Sequence, residues 1–154
     1  KRKKDLKPLT IDTLAPDFIA KKYTDTSQTI KLSDYRGKIV ILDFWYMSCY
    51  PCVQALLALE AINKMYADKG VVELGVNSTD LRVNRLNKMP DFFQHNPITY
   101  LTVMADKSVD DAYNITGYPT MFIIDKAGKI AFSQEGYGPT MEKVIAEKLD
   151  TMLK

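Results

Sequence analysis

The chain has 154 residues and only two cysteines, which stand three apart in Cys49-Tyr50-Pro51-Cys52. They follow directly on an apolar run, Ile39-Val40-Ile41-Leu42-Asp43-Phe44-Trp45-Tyr46. A strand that ends in C-x-x-C and leads into a helix puts a thiol at a helix N-terminus. The unpaired backbone N–H groups and the positive end of the helix dipole favour a thiolate there. Thiolate is the species that attacks disulfides, so the pattern points to a redox nucleophile rather than to two inert core cysteines. Other uses of cysteine fit less well. Two cysteines build no disulfide framework, and a closed zinc site wants four Cys or His ligands where this chain offers Cys49, Cys52 and a single His95.

Asp43 is the other residue whose type conflicts with its surroundings. Its neighbours read as buried, and an unpaired buried charge is costly, so its pKa is expected to rise until it holds a proton near neutral pH. The alternative is an exposed or hydrogen-bonded structural aspartate.

The elements that must position these groups can be read from periodicity and punctuation. Ile39–Tyr46 is nearly unbroken apolar, the mark of a strand covered on both faces. A helix is expected from about Pro51 to Asp68, with proline in its first turn and Gly70 closing it. Leu56, Leu59, Ile62 and Tyr66 form its apolar stripe, widened by Val53, Leu57 and Met65, while Glu60, Lys64 and Asp68 form a ladder on the wet side. Upstream, short extended pieces between Leu14 and Lys38 suggest a small hairpin before the main sheet. Downstream, Val71–Asn77 reads as a strand. It leads to a helix capped by Ser78, Thr79 or Asp80, in which Val83, Leu86, Met89 and Phe93 share a face and which Pro90 kinks or splits. Ile98–Met104 is a further strand and Ser108–Asn114 a short helix. Thr120–Ile124 and Ile130–Ser133 form a hairpin across Asp125–Gly128, and a last helix opens at Pro139. Strands and helices alternate, then a hairpin and helix finish: an α/β sandwich.

Composition and charge set outer bounds. The length suits one domain with a full core. The formal charge of +2 is uneven, since residues 1–7 carry a net +4 and leave −2 on the remainder. The body therefore lacks a basic face for nucleic acid. Residues 1–9 read as a basic tail or linker, with the domain over 10–154. No apolar run approaches the roughly 20 residues of a membrane span, so no membrane insertion of this domain is expected. No signal-peptide pattern opens the chain. The first residue is a lysine and not an initiator methionine, which leaves room for an upstream leader, anchor or domain.

Five segments together resemble the thioredoxin superfamily, and within it the TlpA/ResA-like thiol–disulfide oxidoreductases related to the AhpC/TSA group. They are Ala15-Pro16-Asp17-Phe18; Leu32 to Lys38; Asp43-Phe44-Trp45 with the C-x-x-C; Gly117-Tyr118-Pro119-Thr120; and Phe122-Ile123-Ile124-Asp125 with Gly128-Lys129-Ile130. The resemblance implies a thioredoxin-like α/β/α sandwich with a central mixed sheet. It also implies an N-terminal β-hairpin extension and an extra helix over Thr79–Gln94. The activity implied is thiol–disulfide exchange with disulfide- or dithiol-bearing proteins, in the reducing direction and without metal or organic cofactor. Electrons would come from an upstream donor such as a membrane thiol transporter. The implied compartment is extracytoplasmic, periplasmic, with a membrane anchor or another domain upstream of Lys1.

Residue by residue, the resemblance makes Cys49 the attacking thiol, exposed at the helix start, and Cys52 the resolving one. Asp43, six residues before Cys49, matches the buried acid that relays a proton to and from the resolving cysteine. Some relatives use a helix Glu three residues past the second cysteine, where this chain has Ala55. Pro119 matches the family's cis-proline, and the backbone of Tyr118 would pair with a substrate segment as an added strand. Trp45, Tyr46 and Tyr50 would line the rim. Ser48 stands where many relatives have Trp, a departure that bears on partner specificity.

Two other functions use related frames. A peroxiredoxin-like peroxidase needs Thr three and Pro seven residues before its reactive cysteine, and Cys49 is preceded there by Tyr46 and Leu42. A copper-delivery module with two cysteines and a distant histidine normally spaces its cysteines four apart.

Overall fold

The computed structural model describes residues 9–154. The expected basic tail falls mainly on residues 1–8, outside the described residues. A seven-stranded sheet runs through the molecule in the order β2-β1-β5-β4-β3-β6-β7. Its strands are β1 (Ile19–Lys22), β2 (Thr29–Lys31), β3 (Ile39–Phe44), β4 (Val71–Asn77), β5 (Leu101–Met104), β6 (Thr120–Ile124) and β7 (Ile130–Glu135). The helices are α1 (Tyr50–Tyr66), α2 (Thr79–Arg82), α3 (Met89–His95), α4 (Lys107–Ala112) and α5 (Met141–Met152). β3, β4 and β5 are parallel, and the other pairings are antiparallel, so the sheet is mixed. The fold is the thioredoxin-like α/β sandwich with helices on both faces.

The buried run is β3, flanked by β4 and β6, with all six of its residues buried. Alternate side chains of a strand point to opposite faces. Ile39 and Ile41 therefore join one core layer with Leu56, Leu59 and Ile62 of α1, Met89 of α3 and Ile145 of α5, and that layer holds both cysteines. Val40, Leu42 and Phe44 join the other layer, with Phe18, Val109 of α4, Tyr113 and Phe122.

The expected N-terminal hairpin is formed by β1 and β2, and it extends the sheet, because β1 pairs with β5 as well as with β2. Other expectations are corrected. The extra helix is two short helices: the chain breaks at Asn84, which takes a left-handed φ of 61°, and Pro90 sits in the first turn of α3, where its missing N–H costs nothing. None of the three suggested residues caps α2 with a side chain; Asn77 Oδ1 accepts the Asp80 N–H instead. Val83, Leu57 and Met65 are exposed rather than part of the apolar faces. Glu60 is buried and not on the wet side, because its carboxylate turns inward to accept the N–H (2.8 Å) and hydroxyl of Thr99.

Candidate active site

β3 ends at Phe44, and the chain makes one loop, Trp45 to Ser48, before α1 begins. Cys49 is the N-cap of α1: its backbone is extended, and its Sγ accepts the Cys52 N–H at 3.2 Å. Tyr50 and Pro51 occupy the first turn, where proline gives up only a donor that has no helical partner. One turn of helix brings the two cysteines to a Cα separation of 5.1 Å, and they form a disulfide. The pair is less open than the sequence suggests. Cys49 retains 6% of its surface rather than standing exposed, and Cys52 retains none. Val53 N–H donates to the Cys49 carbonyl, so the cap is part of the helix ladder.

Against Cys49 lies the loop before β6. The Tyr118–Pro119 peptide bond is cis, and the Tyr118 carbonyl oxygen is 3.7 Å from Cys49 Sγ. The Tyr118 side chain is turned away and held: its hydroxyl donates to Asp110, and its ring meets that of Tyr46 edge-on at 5.3 Å. Burial first, then the Asp110 carboxylate, pushes the Tyr118 hydroxyl up to about 12, so it remains a donor across the physiological range. Thr120 ties the same loop down through its hydroxyl, which donates to the Gly117 carbonyl at 2.7 Å.

Of the three aromatics expected at the rim, Tyr50 is 73% exposed beside the disulfide and Tyr46 is half-buried. Trp45 is not at the rim. It is fully buried, packed on Phe92 at 5.5 Å and Phe93 at 5.9 Å, both from α3. The insertion that carries α3 closes over it.

Asp43 is paired with Gly75 in the sheet and faces the layer that contains the cysteines. Neither carboxyl oxygen makes a hydrogen bond within the chain. Burial alone pushes its pKa up to about 7, so the group changes charge near neutral pH.

Glu73 and Asp80 are among the buried acids that the sequence does not announce as part of the site. Glu73, next along the same face of β4, makes no hydrogen bond, and burial together with Asp43 and Glu60 pushes it up to about 9. Its signal was the one that exposed Asp43, a carboxylate inside an apolar strand. Asp80 reaches back from α2 to accept the N–H of Met47, in the loop before Cys49. His95 lies at the end of α3 with its ring Nδ1 2.9 Å from the Asp91 carbonyl oxygen. Among the described residues, no group of three or more His, Cys, Asp or Glu side chains is arranged to hold a metal ion. No helix among them is long and apolar enough to cross a membrane.

The arrangement is a dithiol–disulfide couple at a helix N-terminus, beside a cis-proline loop and in the same core layer as a buried carboxyl. Comparison with known proteins agrees with that chemistry. The AhpC/TSA family model matches residues 11–133. The thioredoxin-like protein YneN of Bacillus subtilis (strain 168) is 34% identical over 138 residues, covering 88% of this chain and 76% of YneN. The thiol-disulfide oxidoreductase ResA of Geobacillus thermodenitrificans is 30% identical over 123 residues, covering 79% of this chain and 67% of ResA. Among solved structures, a protein provisionally assigned as the thiol:disulfide interchange protein DsbE from Chlorobium tepidum superposes with a TM-score of 0.84. It is 27% identical, covering 95% of this chain and 99% of that one. With its redox pair, its fold and these relatives in agreement, the chain belongs to the AhpC/TSA family, as one of its ResA-like thiol–disulfide oxidoreductases.

Proposed function

We propose that the protein reduces disulfides in partner proteins through Cys49 and Cys52. In the reduced protein Cys49 attacks as the thiolate. Its sulfur bonds to one partner sulfur, the partner S–S bond breaks, and the released partner thiolate takes a proton from solvent. Cys52 then gives its proton to the Asp43 carboxylate and attacks Cys49. The Cys49–Cys52 bond forms, the Cys49–partner bond breaks, and two electrons have passed to the partner. Pro119 and the backbone of Tyr118 hold the partner segment beside Cys49, and Tyr50 contacts it at the rim. An upstream donor, such as a membrane thiol transporter, restores the dithiol. The compartment in this reading is extracytoplasmic, periplasmic, as the resemblance to TlpA/ResA-like proteins implies.

One observation carries the assignment of roles: the Cys52 N–H points at Cys49 Sγ, so the helix N-terminus stabilises negative charge on Cys49 and not on Cys52. Cys52→Ser is expected to trap partners as mixed disulfides on Cys49, because nothing is left to resolve them. Trapping by Cys49→Ser instead would reverse the roles. The reduction potential of the pair, measured against glutathione, tests the direction. A value well below the glutathione couple supports a reductant, and one well above it makes the protein an oxidant.

A further inference from the structure

Glu73 is a second buried carboxyl in the layer that holds the redox pair, and the exchange steps above give it no part. β3 and β4 run parallel, with Ile41 paired to Glu73 and Asp43 to Gly75. Paired residues of a parallel ladder share a face, as do residues two apart on one strand. Asp43 and Glu73 therefore both face α1, with Cα atoms about 8 Å apart on the diagonal set by strand spacing and rise. A side chain at Gly75 would meet the Trp45 indole at 3.0 Å and the Tyr100 ring at 3.4 Å, so these two rings cover the position beside both acids. Asp43 is 1% exposed and Glu73 3%. All four of their oxygens, the Tyr100 hydroxyl and Trp45 Nε1 make no hydrogen bond within the chain. Two further titratable groups belong to this cluster: Glu60 from α1, which with Asp43 pushes Glu73 up, and Tyr100, which precedes β5 and is itself pushed up by burial and these acids. No Lys, Arg or His is among the groups that shift either carboxyl.

We propose that Glu73 is the second acid of the redox site, coupled to Asp43 so that the two side chains keep at least one proton between them throughout disulfide exchange. This rests on the reading of Asp43 as the acceptor of the Cys52 proton. Two carboxylates buried in one layer without a cation repel too strongly to ionise together near neutrality. Glu73 is the one that keeps its proton, since burial, Asp43 and Glu60 all act against its charged form. The pair then alternates between one proton and two. With one, the charge sits on Asp43 and can accept the proton of Cys52. With two, it is neutral, and Asp43 returns its proton to solvent after the Cys49–Cys52 bond has formed. Glu73 acts through Asp43 and is a positioning residue for charge: it confines the single negative charge to the carboxyl that serves Cys52.

Carboxyl-carbon NMR titration of the oxidised protein tests the coupling apart from activity. In Asp43→Asn the midpoint of Glu73 is expected to fall by about one pH unit or more, because its ionised neighbour is gone. An unmoved Glu73 midpoint overturns the proposal, and this arm needs no substitution at Glu73. The functional arm compares the pH profile of disulfide exchange in wild type and Glu73→Gln. The variant is expected to lose an ionisation seen above pH ~8 in wild type while keeping the one near neutrality. A profile with both ionisations intact also overturns the proposal. If Asp43→Asn exchanges disulfides as fast as wild type at every pH, the relay reading fails, whereas the NMR coupling would still be found.

Discussion

The carboxylate of Asp80 accepts the backbone N–H of Met47 at 2.9 Å, joining α2 to the loop that enters α1. The same oxygen accepts from Asn77 Nδ2 at 2.8 Å, and Asn77 Oδ1 takes the Asp80 N–H at 3.0 Å. The insertion after β4 thus holds the approach to Cys49 by a closed set of buried hydrogen bonds. Asp80→Ala would strand two buried donors, each worth about 1–3 kcal/mol when left unsatisfied. The variant is expected to unfold at lower urea and to reduce insulin more slowly. Asp80→Asn keeps an oxygen for Met47 and is expected to lose less of both. Equal activity in all three proteins would mean that the loop holds its shape without this bond.

Asp43→Asn is expected to raise stability while slowing exchange. The folded pKa of Asp43, about 7, lies above its ordinary value of 3.8, so the carboxyl costs stability as pH climbs. The sign is that of a raised acid: ionisation is easy in the unfolded chain from pH ~4 and hard in the folded one until pH ~7. Wild type and variant are therefore expected to match below pH ~4, to diverge through that window and to keep a constant gap above it. The gap is on the order of a few kcal/mol, from about 1.36 kcal/mol per unit of pKa. Denaturation across pH with insulin reduction alongside reads both effects. A variant that is less stable at pH ~8 yet fully active would make Asp43 a structural hydrogen-bonding residue.

In the reduced protein, Cys49 is expected to alkylate with a pKa clearly below the ~8.5 of a free thiol, and Cys52 to stay slow. The asymmetry follows from the Cys52 N–H aimed at Cys49 Sγ and from the complete burial of Cys52. Rates of iodoacetamide reaction in the two single-cysteine variants across pH would show it. Comparable reaction of both thiols would remove the assignment of Cys49 as the attacking group.

Gly75→Ala is expected to cost about 1–3 kcal/mol, the usual penalty for overfilling a packed core. Its methyl would meet Trp45 Nε1 at 3.0 Å, closer than side chains normally approach. Trp45 is locked between β4 and the rings of Phe92 and Phe93, so it cannot yield without moving α3. A fall in Tm together with a changed near-UV aromatic signal would report the shift. An unchanged spectrum with full stability would mean that the core takes up the methyl without displacing the indole.

What the chain reveals before folding depends on how local the physics is. β3 and the start of α1 are legible because an unbroken apolar run, a proline in the first turn and a thiol at the cap are local signals. Asp43 is legible because its environment is announced by its own neighbours. Trp45 is not: whether an aromatic after a strand faces partners or core depends on what packs over it, here α3 more than 40 residues later. Glu60 misleads for the same reason. At helical spacing with Lys64 it reads as a solvated pair, and only Thr99 across the layer explains its burial. A split of the inserted helix is expected at Pro90, but its place escapes because the left-handed turn at Asn84 competes with a helical pattern that continues on both sides.

The two apolar layers separated by the sheet carry unlike duties. The front layer, under α1, α3 and α5, contains the thiols and the unpaired acids, so repacking there also shifts charge and reactivity. The back layer, with Val109, Tyr113 and Ile115 against Phe44 and Phe122, contains neither cysteine, and Tyr118 is packed against both layers. Heat tolerance and redox tuning are therefore separable traits in this protein. The chain can be hardened from behind, by better filling around Phe18 and Ile30, away from Asp110 and Tyr118, while its electron chemistry at the front is left as it is.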